Sequence, residues 1–213
     1  MNLVIVSDTH GYHRNMAVPA GDVFVHAGDF TVSGSLDDAA EFNDFLGTLP
    51  HPHKVVIAGN HDFCFQREPG RARALMKNAV YLQDESVTID GIRFYGSPWQ
   101  PWFYDWAFNL KRGRDIAEKW AMIPEDTDVL VTHGPPRGFG DRTFDGRNEG
   151  CDDLLVRVRQ IRPKLHVFGH IHEEAGQWEE NGTTFINASA WDNAGAARVF
   201  ELQAGGEGQT GDK

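Results

Sequence analysis

The chain holds only two cysteines, Cys64 and Cys151, among 213 residues. Two thiols cannot build a disulfide framework, so a hydrophobic core must carry the fold, and both are expected to be free thiols in a reducing compartment. Long apolar runs are missing too. None approaches the roughly 18 residues of a membrane span, so no membrane partner is expected. Positive charge is scarce, with 20 Lys and Arg against 31 Asp and Glu, a net charge of −11. That balance argues against tracking long nucleic acid, which relies on Lys and Arg displacing counterions. No basic stretch followed by an apolar leader precedes the first apolar run, so no signal peptide and a cytoplasmic location are expected. Asn181-Gly182-Thr183 and Asn187-Ala188-Ser189 match the glycosylation pattern, but without a secretory route they are expected to stay unmodified. Internal repeats are absent.

What is present suits one domain, since 40% of the residues are hydrophobic and a chain of this length can bury a sizeable core. The domain is expected over residues 1–202, with the glycine-rich 203–213 as a disordered tail. Ser35 followed by Asp38 resembles a capping box. Phe42, Phe45, Leu46 and Leu49 then recur at helical spacing and predict a core-facing helix that Leu49-Pro50 ends. Further helices are predicted over 71–78, over most of 105–121 with a break near Gly113, and over Asp152–Ile161. Asp90-Gly91 and Asn181-Gly182 each sit between alternating segments, the pattern of a tight hairpin. A last strand is predicted over 197–202. Strands and helices alternate early and hairpins dominate later, which gives an α/β class with mixed sheets under helices. The pattern does not say how many sheets.

Five short clusters stand out: Asp8-Thr9-His10, Gly28-Asp29, Gly59-Asn60-His61-Asp62, Thr132-His133 and Gly169-His170-Ile171-His172. Any one is commonplace, and a lone Asp or His-x-His is more often a turn or a cap. Together Asp8, His10, Asp29, Asn60, His133, His170 and His172 make a mixed oxygen and nitrogen set large enough for two metal ions. Each cluster follows an apolar run that reads as a strand, at residues 3–6, 23–25, 55–57, 129–131 and 165–168. In α/β sheets, ligands bind at the carboxyl ends of strands. Imidazole with carboxylate suits Mn²⁺, Fe, Zn²⁺, Co²⁺ or Ni²⁺, with Mg²⁺ also possible, better than Ca²⁺.

This order of motifs resembles the calcineurin-like metallophosphoesterase superfamily over residues 8–172. Ile57-Ala58-Gly59-Asn60-His61, Tyr95-Gly96-Ser97-Pro98-Trp99, His133-Gly134-Pro135-Pro136 and the segment 162–169 are similar to its brain-type subfamily of metallophosphoesterase-domain proteins. Some mammalian members carry glycine where this chain has His170, so a complete site is expected here. The resemblance implies a four-layer sandwich of two mixed β-sheets flanked by helices. It also implies two divalent ions, Mn²⁺ first among them. Asp8, His10, Asp29 and His172 would hold one ion and Asp29, Asn60, His133 and His170 the other, with Asp29 bridging and a bridging hydroxide attacking phosphorus. His61 would serve as general acid or as a charge stabiliser at the leaving oxygen. Asp62 would orient the His61 ring or cap the following turn.

The expected activity is phosphodiesterase on small phosphodiesters, cyclic or other nucleotides included. Alternatives are a phosphomonoesterase or protein phosphatase, and a nonenzymatic metal-dependent scaffold. Residues 99–108 hold three of the chain's tryptophans, either as packed core or as an aromatic wall for a leaving group. Residues 137–150, with Arg137, Arg142 and Arg147, are either a solvated loop or a lid with a phosphate clamp. His13, His51 and His53 are expected in loops, and His26 and His166 in strands as satisfied core groups.

Overall fold

The computed structural model describes residues 1–191 and 196–203. The first sheet is built early in the chain from β1 (Asn2–Val6), β2 (Val23–His26), β3 (His53–Val56) and β4 (Val80–Tyr81). A hairpin follows, β5 (Glu85–Ile89) and β6 (Ile92–Ser97), and then a small pair, β7 (Gln100–Pro101) and β8 (Asn109–Leu110). The rest are β9 (Val129–Thr132), β10 (Leu165–Phe168), β11 (Gly176–Glu180), β12 (Thr183–Asn187) and β13 (Arg198–Glu201). One sheet runs β13-β1-β2-β3-β4 and the other β11-β12-β10-β9-β6-β5. Four parallel strands form the middle of the second sheet, with antiparallel hairpin strands at both edges. In the first, β1 to β4 are parallel and β13 returns antiparallel along β1.

The two sheets face each other. Strand residues alternate sides, and one set from each sheet makes a shared dry interior: Leu3, Ile5, Val25 and Val55 against Phe94, Val131, Val167 and Ile186. The opposite face of the first sheet, with Val4, Phe24 and Val56, is covered by α1 (Leu36–Thr48), α2 (Phe63–Arg67) and α3 (Pro69–Leu75). The outer face of the second, with Tyr95, Leu130 and Phe185, is covered by α4 (Arg114–Trp120) and α5 (Asp152–Ile161). The result is the expected four-layer sandwich. Fully buried apolar strands on both faces explain why the runs at 3–6, 129–131 and 165–168 lack clean alternation.

Local chemistry sets the boundaries. Ser35 accepts from the Asp38 amide at 3.1 Å and Asp38 reaches back to the Ser35 amide, a capping box worth about 1 kcal/mol. Asp90-Gly91 and Asn181-Gly182 turn their hairpins with left-handed backbone at both residues, as predicted. The segment 105–121 departs from expectation. Only Arg114–Trp120 is α-helical, and Asn109–Leu110 pairs as a strand with Gln100–Pro101. The Asn109 side chain takes the Phe103 and Tyr104 carbonyls, which holds the preceding segment as turns. The helix expected over 71–78 instead starts at Pro69 and ends at Leu75, with a separate turn of helix over Phe63–Arg67 ahead of it. Of the expected tail, only Gln203 lies within the described residues. No helix among the described residues is long and apolar enough to cross a membrane.

Candidate metal centre

The two sheets meet where their parallel strands end. Ser7, one residue past β1, donates its amide to the Ala188 carbonyl at 2.9 Å and accepts from the Ala190 amide at 2.9 Å. This seam brings the loops after β1, β2, β3, β9 and β10 to one place. Four of the seven sequence-selected ligands leave their strands in left-handed backbone: Asp8 at φ 56, His10 at φ 42, Asp29 at φ 58 and His170 at φ 69. Side chains rarely accept that conformation, and such residues gather at functional sites, where the surrounding fold over-determines them.

Two glycines make room. A Cβ on Gly59 would stand 2.3 Å from Asp29 Oδ1, and one on Gly169 would stand 2.1 Å from Asp8 Oδ2. The glycines of the Gly-Asn-His and Gly-His-x-His clusters therefore let two backbones press against the carboxylates of Asp29 and Asp8.

Asp8, His10 and His172 bring ligand atoms within 4.8 Å of one another, as do Asp8, Asp29 and His133, and also His10, Asp29 and His61. The last trio adds His61 to the possible ligands, a place the motif reading had not given it. His133 joins the set to Asn60: its Nε2 lies 2.9 Å from Asn60 Oδ1 and 3.4 Å from Asp29 Oδ2. Its Nδ1 lies 2.9 Å from the Ala27 carbonyl, an acceptor that makes Nδ1 the donor. His170 comes to the cluster through its amide, 3.0 Å from Asp8 Oδ2, and through its ring, 5.0 Å from that of His133.

The charges are tuned by burial and by each other. Burial opposes the charged form of Asp8, but hydrogen bonding to His172 and the field of His133 hold its pKa below the usual carboxylate value. Asp29 is likewise held low, as His133 outweighs burial. His133 is pushed up to about 9, since Asp29 and Asp8 overcome the desolvation that disfavours its charge. Burial drives His170 down to about 3. His10 is lowered, chiefly by burial, and its Nε2 is a buried atom with no hydrogen-bond partner.

The residues fit divalent cations on two observations. Two acceptor oxygens, on Asn60 and Asp29, converge on a His133 nitrogen whose partner nitrogen is committed as a donor. The orphaned His10 Nε2 points to the same carboxylate, 3.8 Å from Asp29 Oδ2. Such convergence needs a cation, either a proton or a metal, to be favourable in a buried site.

Asp62 stands elsewhere than expected. Its carboxylate accepts from the Asp29 amide at 2.9 Å, the Gly59 amide at 2.7 Å, and the Thr31 amide and hydroxyl at 3.0 and 2.7 Å. Among these bonds none serves the His61 ring, and at the start of α2 it makes no side-chain cap. It pins the backbone of one ligand and of the loop bearing another. Burial and the nearby Asp29 push its pKa up to about 7. His61 is anchored by its amide on Asp29 Oδ1 at 2.7 Å, and its ring stacks on Trp106 at 4.2 Å and meets His10 edge-on at 4.5 Å.

The comparisons with known proteins agree with this geometry. A family model described as calcineurin-like phosphoesterase matches residues 1–174. The chain belongs to the calcineurin-like phosphoesterase family. It is 46% identical over 211 residues to human metallophosphoesterase domain-containing protein 1, covering 87% of this chain and 65% of that protein. It is 40% identical over 203 residues to UPF0046 protein K07C11.7 of Caenorhabditis elegans, covering 89% of this chain and 69% of the relative. The chain thus spans about two thirds of these relatives' length. The crystal structure of TT1561 of Thermus thermophilus shares the fold at a TM-score of 0.59 and 12% identity, over 87% of this chain and 88% of the other. Phosphoester hydrolysis with divalent metals is the chemistry this family implies, and the cluster above supplies its candidate ligands.

Two clefts of this family member open beside the cluster. One, of about 580 Å³, is lined by His170 and His172, by Trp102, Phe103 and Tyr104, and by Phe144 and Arg147 of the 137–150 loop. Both segments left open by the sequence thus border the site. Trp102 is 60% exposed, whereas Phe108 is buried and the half-buried Trp99 packs against it, so the aromatic stretch is part wall and part core. The loop arginines are engaged: Arg147 on Asp145 at 2.6 Å, Arg142 near Glu174 at 3.9 Å, Arg137 on the Asn148 carbonyl. The second cleft is lined by Asp8, Thr9, Tyr12, Asn15, Met16, Ala190 and Trp191. Tyr12 and Trp191 escaped the sequence reading because neither belongs to a motif.

His26 and His166 are buried strand residues as expected, although His166 Nδ1 finds no hydrogen-bond partner among the described residues, and each does a further job. His26 Nε2 meets the Thr9 hydroxyl at 3.0 Å and His166 Nε2 the Thr132 hydroxyl at 2.9 Å, so each steadies the threonine beside a ligand. Only contact across strands reveals this. His13 lies in a short 3₁₀ turn paired with Glu41 at 2.6 Å, and His53 opens β3 rather than lying in a loop.

Proposed function

We propose that the protein is a metal-dependent phosphodiesterase acting on small phosphodiesters, aryl and nucleoside esters among them. The observation that carries this reading is the convergence of Asp8, His10, Asp29, His133 and His172 within ligand distance at the joined ends of two sheets. Asp8, His10, Asp29 and His172 would hold one divalent ion and Asp29, Asn60, His133 and His170 a second, with Mn²⁺ the first candidate. Such ions, when bound, supply positive charge to phosphate oxygens and acidify water toward neutral pH.

The chain's own residues do the rest. Asp62 and Gly59 fix Asp29, whose two oxygens face different partners: the His61 amide on Oδ1, His133 and His10 on Oδ2. His61, held by its amide and braced by Trp106, presents an imidazole beside the cluster and donates a proton to the leaving oxygen. The wider cleft favours diesters over monoesters. Its cationic side chains are Arg112, bonded to the Gly150 and Glu149 carbonyls, and Arg147, paired with Asp145. Asp145, Glu149 and Glu173 share the same walls. A monoester dianion gains little there, whereas a diester monoanion can lay its neutral substituent on the aromatic wall.

Matched nitrophenyl esters test this. Manganese-loaded protein should hydrolyse a nitrophenyl diester with a higher kcat/KM than nitrophenyl phosphate, and chelation should abolish both activities. A faster monoester, or turnover that survives chelation, overturns the proposal.

A further inference from the structure

We infer that the Tyr12–Trp191 cleft is a second ester subsite, which receives a flat neutral substituent of the substrate; this rests on the diesterase reading above. The cleft has a volume of about 420 Å³ and reaches the metal cluster through Asp8. The wider cleft reaches it through His170 and His172, and the two share no lining residue. A phosphodiester carries two substituents on one phosphorus. A phosphate seated at the cluster thus has a separate aromatic-walled recess available for each.

The chemistry of the second recess selects its occupant. Its described walls hold no Lys or Arg, and its one charged group, Asp8, is fully buried and bonded to the His170 amide. A second anion would find no partner there. Trp191 is 50% exposed and Tyr12 62% exposed. Their rings meet at 64°, with centroids 6.2 Å apart, so they do not stack on each other and the indole can accept a ring against it. The same indole touches the His10 ring at 4.8 Å and the His172 ring at 5.8 Å, which places an occupant beside one set of ligands. Met16 lends an adaptable apolar floor, and Asn15 an amide donor and acceptor at the rim. An aryl group or a heterocyclic base fits this lining; a short alkyl group leaves it unfilled.

The test compares phenyl with methyl nitrophenyl phosphate on the manganese-loaded full chain. The wild type should prefer the phenyl ester roughly tenfold in kcat/KM, as expected for one ring stacked on an aromatic side chain. Tyr12→Ala and Trp191→Ala should each reduce that preference several-fold, chiefly through KM. Calorimetric titration with phenylphosphonate and methylphosphonate should give the same change in preference without turnover. An unchanged preference in both variants overturns the inference. So does an equal loss on both esters in Trp191→Ala with Tyr12→Ala silent, which would make Trp191 mere packing for His10. Failure of the wild type to cleave either diester would count against the diesterase reading, while the phosphonate preference would still judge the cleft.

Discussion

The carboxylate of Asp62 holds the backbone of Asp29: Asp62 Oδ2 accepts from the Asp29 amide at 2.9 Å, one residue past a glycine that turns the chain at φ 99. The same oxygen accepts from the Gly59 amide at 2.7 Å, so one buried group sets the distance between two ligand-bearing loops. Asp62→Ala would leave the buried Asp29, Gly59 and Thr31 amides without their acceptor, each at a cost of about 1–3 kcal/mol. The expected outcome is a lower melting temperature together with weaker metal uptake, measured by thermal unfolding and by metal analysis after dialysis. Full metal content in a folded Asp62→Ala protein would contradict this.

Asp29 itself is the ligand whose loss should cost most. It lies within reach of His10, His61 and His133 together, and it would serve both ions. Asp29→Ala should lower turnover more than Asp8→Ala, His10→Ala or His172→Ala, and bound metal should fall below one ion per chain. Metal stoichiometry beside kcat checks both halves.

His61 separates proton transfer from metal binding. His61→Ala should lower kcat on esters with poor leaving groups by roughly 10²–10⁴-fold, the usual weight of general acid catalysis. Nitrophenyl esters, whose leaving group hardly needs a proton, should lose far less. Equal losses across leaving groups would reduce His61 to a charge stabiliser, or to the ligand that its place beside His10 and Asp29 permits.

Acid stability should report on His26 and His166. Burial pushes both down from 6.5 to about 3, so the folded chain refuses protons that the unfolded chain accepts. Their stabilising effect is therefore complete above pH 6.5 and is lost as pH falls toward 3, by up to about 1.4 kcal/mol per pH unit for each histidine. His166→Gln keeps a hydrogen-bonding group near Thr132 but cannot titrate. Its melting temperature should fall less steeply between pH 6.5 and 4 than that of the wild type.

Much of the candidate site was legible in the sequence because its candidate ligands lie immediately after apolar strand runs. Asp8 and His170 are 162 positions apart, yet each reads locally as a polar residue at a strand end. The capping box at Ser35 and the two Asx-Gly hairpins were legible for the same reason, since their chemistry is contained within a few residues. Features set across the fold were not. Nothing beside Asp62 foretells that its partners are Thr31, Gly59 and the Asp29 amide. The helix expected through 105–113 failed because Asn109 spends its side chain on the Phe103 and Tyr104 carbonyls. The Tyr12–Trp191 cleft joins segments far apart in the chain, brought together where Ser7 bonds the Ala188 and Ala190 backbone.

The left-handed backbone at the ligands has an evolutionary corollary. At φ 69, the position of His170 suits glycine better than any side chain. A His170→Gly exchange would relax the main chain there, but it would also remove a ring that packs 5.0 Å from that of His133 and 5.9 Å from that of Phe103. Asp8, His10 and Asp29 share that bias. Should the proposed activity become dispensable, glycine at these four strand-end positions is the change that the backbone accepts most readily.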